Sequence, residues 1–197
     1  MKKIIPALLL LLIHQLAVGQ NAYKDSIEKY IANYVKTHEV VTGDDKKFFR
    51  FYPADERYLI KARFEKSDDS KWFGIETSSG TKSINRVFGT IYFTIHDTAL
   101  KLNIYQSKDL MSMTQYKDYL FLPFTDLTCG GETYANGRYI DLTLKDITGD
   151  TAMIDFNKAY NPYCAYVSGR YSCPIPPHEN ALAVAIRAGE KAFAKNH

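Results

Sequence analysis

Hydrophobic residues recur along this chain with two different periods, and the change of period divides the predicted structure. One early set has the three- and four-residue spacing of a helix and consists of Tyr23, Ile27, Tyr30, Ile31 and Tyr34. This spacing predicts an amphipathic helix over residues 21–37. Between residues 48 and 156 the hydrophobic residues alternate with polar ones instead, which is the period of a strand with one buried face.

Clusters of turn-forming residues, such as Asn136-Gly137 and Thr148-Gly149-Asp150, divide the alternating region into short segments. The predicted strands are residues 48–52, 58–65, 72–77, 84–95, 101–106, 119–124, 138–144 and 152–156. Residues 107–115 lie between two of these strands and predict one or two helical turns. Many short strands at this spacing favour an antiparallel sandwich or barrel.

Near the C-terminus the hydrophobic residues again fit one face of a helix. That face consists of Leu182, Ile186, Gly189 and Phe193, and Pro176-Pro177 precedes it. We expect this helix to dock on the β core. The predicted fold class is therefore α+β, mainly antiparallel β and sandwich-like or barrel-like, with an N-terminal and a C-terminal helix.

The first 19 residues have the layout of a secretory signal peptide. Lys2 and Lys3 are followed by an apolar run over residues 4–13 and a small-residue exit that ends at Gly19. A membrane-spanning helix needs about 20 apolar residues, whereas His14 already interrupts this run. The sequence also has no cysteine before Cys129 that a lipid could modify. We expect cleavage after about Gly19, a single β-rich domain over residues 20–197, a periplasmic or secreted location, and no stable membrane insertion.

Charge and known motifs exclude several function classes. The chain has 25 basic and 22 acidic residues, a net charge of +3, and removal of Lys2 and Lys3 leaves +1. The basic residues form no stripe that would follow a phosphate backbone, so we expect no nucleic-acid partner. The sequence has no phosphate-binding glycine loop, no H-E-x-x-H and no G-x-S-x-G elbow, and we predict no cofactor and no metal.

Three cysteines in an exported chain allow one disulfide and one remaining thiol. Cys164 and Cys173 are close enough in sequence to close a short loop, and we predict a disulfide between them. Cys129 would then be the free thiol, although it can also pair with either of the others. A zinc site built from the cysteines and His178 is an alternative, but its spacing matches no common zinc knuckle.

The first group of candidate site residues lies in the segment 122–141. It comprises Asp126, Glu132, Tyr134, Arg138 and Tyr139. The two carboxylates with Arg138 are suited to binding a polar or anionic ligand. The alternative is a solvated loop with a structural salt bridge.

Alternation places Arg138 on the apolar face of its predicted strand, beside Ile140 and Leu142. Tyr139 and Asp141 share the opposite face. An arginine on an apolar face needs a buried partner. Asp155 or Glu179 is the partner that we expect.

The second group of candidates lies in the proline-rich tail and comprises Asp155, Asn157, Asn161 and Glu179. Their oxygens can converge on a ligand or on a hard cation. Aspartate and asparagine beside proline also cap turns and helices, and this is the competing interpretation. A thiolate at Cys129, with His96 or His178 as its base, is a third and weaker alternative.

Two segments carry a resemblance to a known family. The segments YLFLPFTDLTCGGETYANGRYIDL and DFNKAYNPYCAYVSGRYSCPIPPHENALAVAIRAGE, with FFRFYPADERYLIKARFE upstream, resemble the bacterial domain of unknown function 1684 over about residues 45–191. The matching positions are Phe124, Asp126, Glu132, Thr133, Tyr134, Gly137, Arg138, Tyr139, Asp155, Phe156, Asn157, Tyr160, Asn161, Pro162, Cys164, Cys173, Pro174, Pro176, Glu179 and Asn180. The resemblance implies a shared fold but no activity. Members of the family usually have a different polar residue in place of Cys129, which agrees with a free thiol there.

These observations favour a binding domain for a small polar or sugar-like ligand, or for a component of the cell envelope. Tyr134, Tyr139 and Tyr160 are expected to stack against such a ligand. The alternative is a hydrolase in which Glu132 or Asp155 acts as the base and Arg138 stabilises developing charge. A scaffold for envelope proteins is a third hypothesis. The sequence indicates no particular oligomeric state.

Overall fold

The structure is a computed structural model of the chain, and it describes residues 22–195. The predicted signal peptide lies outside the described residues. Helix α1 covers residues 22–37, and helix α2 covers Lys108–Met111. The strands are β1 (Leu59–Lys66), β2 (Phe73–Glu76), β3 (Lys82–Ile95), β4 (Thr98–Ser107), β5 (Tyr119–Phe124), β6 (Arg138–Thr143), β7 (Ile147–Thr148) and β8 (Thr151–Asp155). Within residues 22–195, no helix has both the length and the apolar character that crossing a bilayer demands.

All eight strands belong to one antiparallel sheet. Its order is β6-β5-β4-β3-β1-β8-β7, and β2 pairs with β3 beside this path. The β3–β4 hairpin is its longest ladder and contains a bulge between Val87 and Gly89. A Cβ atom on Gly89 would lie 2.4 Å from the Phe64 ring, so only glycine fits at this bulge. The antiparallel α+β class that the alternation predicts is confirmed.

The predicted elements agree with most of the observed ones. Helix α1, the two turns after β4, and seven of the eight predicted strands occur within a few residues of their expected positions. The predicted strand at residues 48–52 is wrong. A 3-10 helix covers Gly43–Phe48 instead, and of the predicted strand only Phe51 forms an isolated bridge, with Glu190.

Side chains alternate between two packed faces of the sheet at β5 and β6. One face contributes to the main core through Leu120, Leu122, Phe124, Ile140 and Leu142. The other face forms a smaller cluster of Ile75, Tyr105, Phe121 and Tyr139, with Tyr119 and Tyr160 packed against it. Because both faces are covered here, the residues of β6 are divided between two different environments.

The predicted C-terminal helix is wrong, because residues 181–195 contain no helix and follow an irregular path with bends. Leu182, Val184 and Ile186 are buried while Ala183 and Arg187 are exposed, so burial follows a period of two. We call residues 174–195 the C-terminal strap. It crosses the main core and pairs with the chain after β5, where the Leu182 N–H donates to Thr125 O at 2.8 Å and the Leu127 N–H donates to Val184 O at 3.1 Å.

Gly189 shows why a helix does not form in the strap. Its φ is +75°, which helical residues do not adopt, and a Cβ atom there would lie 2.5 Å from Ala159 O. Residues 181–188 of the strap are alanine or aliphatic except for Arg187, so helical propensity alone favours a helix there. Tertiary hydrogen bonds and burial of alternate residues override that propensity.

Asn180 replaces part of the ladder between β4 and β5. These strands share a single register pair, Tyr105 with Phe121. The Asn180 side chain is completely buried, accepts from Asn103 N at 2.9 Å, and donates to Asn103 O at 2.9 Å and to Pro123 O at 2.7 Å. One side-chain amide therefore links both strands to the strap and satisfies backbone groups that would otherwise be unpaired.

Candidate functional site

A cavity of about 510 Å³ opens on the sheet face that carries Tyr139, between α1 and the segment 160–174. Six of its lining residues are tyrosines: Tyr30, Tyr34, Tyr139, Tyr160, Tyr163 and Tyr171. Its acidic lining residues are Asp141 and Glu39. No lysine or arginine lines it within the described part of the chain. The cavity is therefore aromatic with an acidic character.

The floor of the cavity comes from β6 and the segment paired with it. Tyr139 and Asp141 are two residues apart on β6, so both side chains project from the same face of the sheet. The backbones of Tyr139 and Tyr160 exchange hydrogen bonds of 2.9 and 3.0 Å, and their rings are perpendicular with centroids 5.8 Å apart. The Tyr139 hydroxyl donates to Pro174 O, which ties the floor to the strap.

Asp141 is the carboxylate of the floor. Its Oδ1 accepts from the hydroxyls of Tyr119 and Tyr160, each at 2.7 Å, whereas its Oδ2 accepts no hydrogen bond from the residues described. Asp141 is exposed to solvent, which reaches it from the cavity. Protein packed around the rest of the carboxylate still desolvates it and raises the pKa of Asp141 above its usual range, and the two tyrosine hydrogen bonds act in the opposite direction.

The outer wall comes from α1 and the residues after it. Tyr30, Tyr34 and His38 are spaced by four residues and therefore lie along one side of the chain. His38 is buried, and its Nδ1 accepts from the Val41 N–H at 3.0 Å. Burial, together with the charge of Lys46, lowers the pKa of His38 to about 4. The imidazole is consequently neutral at physiological pH.

A disulfide closes the loop that forms the remaining wall. Cys164 and Cys173 are joined, as the spacing predicts, with their Cα atoms 6.3 Å apart. The Ser78 N–H donates to Cys173 O at 2.9 Å, which holds this loop on the chain after β2. Tyr163 and Tyr171 face each other from the two sides of the loop, with ring centroids 5.0 Å apart.

Cys129 is the free thiol, as predicted. Its sulfur lies 3.6 Å from Asp126 Oδ1, and burial raises the pKa of the thiol. Neither His96 nor His178 hydrogen-bonds to it. Because the other two cysteines are oxidised, the zinc alternative loses its ligands. The described residues contain no group of three or more histidine, cysteine or acidic side chains placed to hold a metal ion.

Arg138 is completely buried and joins β6 to the strap. Its NH2 group lies 3.3 Å from Asp126 Oδ1, and the guanidinium carbon lies 5.3 Å from the centroid of the Phe124 ring. The guanidinium also donates to three strap carbonyls, those of Ile186, Ala188 and Glu190, at 2.8, 2.5 and 3.1 Å. These contacts occupy Arg138 within the protein interior.

Asp126 is the buried partner of Arg138, so the expectation of Asp155 or Glu179 in that place is wrong. Besides Arg138, the Asp126 carboxylate accepts from the Thr128 hydroxyl at 2.8 Å and from the Ile186 N–H at 2.7 Å. This network fixes the path of the strap across the end of β5.

Glu132 and Tyr134 lie on the surface loop after Asp126. Glu132 forms an ion pair of 2.8 Å with Arg187 and accepts from the Tyr52 hydroxyl at 3.0 Å. The Tyr134 hydroxyl accepts from Asn136 at 3.2 Å. Glu132 and Asp126 therefore have different partners, and neither they nor Tyr134 line the cavity.

The four tail candidates lie in three places. Asp155 caps the turn Phe156–Lys158 and, with Asn157, binds the Tyr23 hydroxyl at the start of α1, at 2.9 and 2.8 Å. The Asn161 side chain donates to Lys191 O at 2.8 Å. Glu179 is exposed in the turn His178–Asn180.

Glu190 is a buried acid that sequence inspection missed. It follows a glycine near the end of the predicted helix, where a glutamate is ordinarily a solvent-exposed residue. Its carboxylate is completely buried and accepts from the Asn161 N–H at 2.9 Å and from the Tyr166 hydroxyl at 2.7 Å. The only signal was its position within the segment that resembles the family.

Comparison with known proteins identifies the family. The family described as "Protein of unknown function (DUF1684)" matches residues 47–191. The chain belongs to this family. An uncharacterized protein of Haloarcula marismortui, solved by solution NMR, is similar in structure, with a TM-score of 0.63 and 26% identity over 91% of this chain and 95% of that chain. No curated protein matches.

The DUF1684 match includes only part of the cavity. Its floor, with Tyr139, Asp141 and Tyr160, and its disulfide loop lie within residues 47–191. The α1 wall, with Tyr30 and Tyr34, precedes the matched range. Residues of the matched range therefore form the acidic floor, and the N-terminal helix that precedes this range forms the tyrosine wall.

Proposed function

We propose that this DUF1684 protein is an exported binding domain for a small polar ligand, which occupies the tyrosine-lined cavity. The observation that carries the proposal is an aromatic cavity of about 510 Å³ with one carboxylate oxygen, Asp141 Oδ2, that accepts no hydrogen bond from residues 22–195. Ligand sites are typically concave and mostly apolar, with a few polar groups that fix orientation. Of the residues that the sequence suggested for ligand contact, Tyr139 and Tyr160 line this cavity.

The rigidity of the cavity supports binding without a large conformational change. The strap holds Tyr139, the Cys164–Cys173 disulfide holds the loop of Tyr163 and Tyr171, and the Asp155–Asn157 pair holds the start of α1. A site whose walls are ordered before binding loses less entropy when it takes up a ligand.

The hydrolase alternative has less support than binding. It requires Arg138 to stabilise charge on a substrate, but that guanidinium is fully buried and bonded to Asp126 and the strap. It also requires Glu132 or Asp155 as a free base. Glu132 is paired with Arg187, which lowers the pKa of the carboxyl group, and Asp155 caps a turn.

Export is the second part of the proposal. Disulfides persist in oxidising compartments, so the Cys164–Cys173 bond supports a location outside the cytoplasm. The test is N-terminal sequencing of the protein recovered from the cell envelope or the medium. A first residue of Gln20 is expected, and an intact Met1 would contradict a cleaved signal.

Thermal-shift measurements and native mass spectrometry of residues 20–197 against envelope sugars and small metabolites test the binding function. A bound ligand is expected to raise the unfolding midpoint by mass action. Tyr171→Ala removes one wall of the cavity and is expected to weaken binding about tenfold or more. Tyr92→Ala, a tyrosine that does not line the cavity, is the matched control. Equal loss in both variants, or no shift with any ligand class, would contradict the proposal.

A further inference from the structure

The charge of the cavity indicates more about its ligand than its shape does. The acidic residues that line the cavity are Asp141 and Glu39, and the imidazole of His38 is neutral at physiological pH. Asp141 forms no ion pair with any residue between 22 and 195. A carboxylate in a concave, partly desolvated wall attracts a counter-charge.

The tyrosine rings around Asp141 favour the same sign of charge. The face of an aromatic ring carries negative potential, and a cation within about 6 Å of the ring centroid is stabilised by it. Two rings of the cavity already hold protein cations in this way. Lys158 Nζ lies 5.7 Å from the Tyr30 centroid, and the guanidinium carbon of Arg170 lies 5.5 Å from the Tyr171 centroid, although neither basic residue lines the cavity.

The hydrogen bonds of Asp141 leave one oxygen ready for a ligand. Both tyrosine hydroxyls bind Oδ1, so they fix the carboxylate plane without occupying Oδ2. A ligand ammonium group can contact Oδ2 while its alkyl carbons pack on Tyr139 and Tyr160. A neutral sugar can use the same oxygen through a hydroxyl, but it gains nothing from the charge of the wall.

We propose that the ligand of this cavity is a small organic cation, a quaternary ammonium or protonated amine, held by Asp141 and the surrounding tyrosine rings. This inference rests on the proposed binding function and names its ligand class. The amine can belong to a simple alkyl compound or to an amino sugar.

Two matched pairs of probe ligands distinguish the effect of ligand charge on affinity from the effect of ligand shape. Choline is compared with its neutral carbon isostere 3,3-dimethyl-1-butanol, and glucosamine with glucose, by calorimetry at about pH 6, where an alkyl amine is protonated. At least one cation is expected to bind about tenfold more tightly than its neutral partner, a difference of about 1.4 kcal/mol. Asp141→Asn keeps Oδ1 for both tyrosines and replaces Oδ2 by an amide, so it is expected to abolish this preference.

Glu65→Gln, which neutralises an exposed acid on β1, is the control and is expected to keep the preference. Neutral partners that bind as tightly as the cations, or a preference that survives in Asp141→Asn, would overturn the cation inference while leaving the binding function intact. Binding by none of the four probes and none of the sugar panel would overturn both. The wild-type comparison decides the inference even where Asp141→Asn fails to fold.

Discussion

Glu190 makes the stability of this fold depend on pH in an unusual direction. Its carboxylate extends from the strap and is buried between α1 and residues 161–166, where it accepts from Asn161 N, from the Tyr166 hydroxyl, and from the Tyr34 hydroxyl at 3.3 Å. No basic side chain within residues 22–195 forms an ion pair with it. Desolvation raises the pKa of Glu190 from its ordinary value of 4.5 to about 7, although these hydrogen bonds act against the rise.

The sign of the effect follows from the raised pKa. Between pH 4.5 and about 7 the folded state retains a proton that the unfolded chain has lost, so stability from Glu190 is greatest below pH 4.5 and decreases as the pH rises. A pKa difference of this size corresponds to about 3 kcal/mol in all, most of it lost between about pH 5 and about pH 8.

Glu190→Gln is the perturbation that isolates this group. Glutamine has the shape of the protonated acid, keeps one acceptor oxygen for the Asn161 N–H, and can donate to the Tyr166 hydroxyl oxygen. It has no charge to desolvate at any pH. We expect the variant and the wild type to have similar stability near pH 5, and the variant to be more stable by about 2–3 kcal/mol near pH 8.

Urea unfolding of both proteins at several pH values measures the difference. The free energy of unfolding of the wild type alone would not reveal the contribution of Glu190. The pKa of His38 is lowered, so His38 contributes stability that increases with pH and opposes the decrease from Glu190. Subtracting the wild-type value from that of the variant removes the His38 contribution. Glu179→Gln, an exposed acid of the same segment, should give a difference that is constant with pH. A constant difference for Glu190→Gln would refute the reasoning, because the carboxylate would then be ionised in the folded protein.

Two further predictions concern the bonds that hold the strap and the cavity loop. Arg138→Met should lower the free energy of unfolding by about 3–5 kcal/mol, because it leaves the Asp126 charge buried without its cation. The matched control Arg187→Met removes an exposed arginine, and denaturant unfolding should detect little change in its stability. Equal losses of stability in the two variants would contradict the expectation that the buried ion pair matters more. Cys173→Ser should lower stability by roughly 2–3 kcal/mol under oxidising conditions only. The same loss in reductant would show that the bond to Cys164 contributes nothing.

Local patterns were sufficient for most of the sheet. Strands such as β5 and β3 alternate or form short apolar runs between turn residues, and this information lies within each segment. The same use of local patterns predicted a helix in the C-terminal strap incorrectly. Leu182 and Ile186 fit one face of a helix as well as they fit every second position of an extended chain. Only the contacts with Thr125 and Leu127 distinguish the two, and those residues lie more than fifty positions away in sequence.

The candidate site was less accessible to sequence reasoning than the fold was. The sequence by itself determined the antiparallel class, the disulfide pair and the shared face of Tyr139 and Asp141, since these depend on short spacing and side-chain alternation. Tertiary structure alone decided that Asp126 pairs with Arg138, that Glu190 is buried, and that α1 forms a wall of the cavity. The physical reason is that burial and charge pairing are properties of distant segments brought together, and no local spacing encodes them.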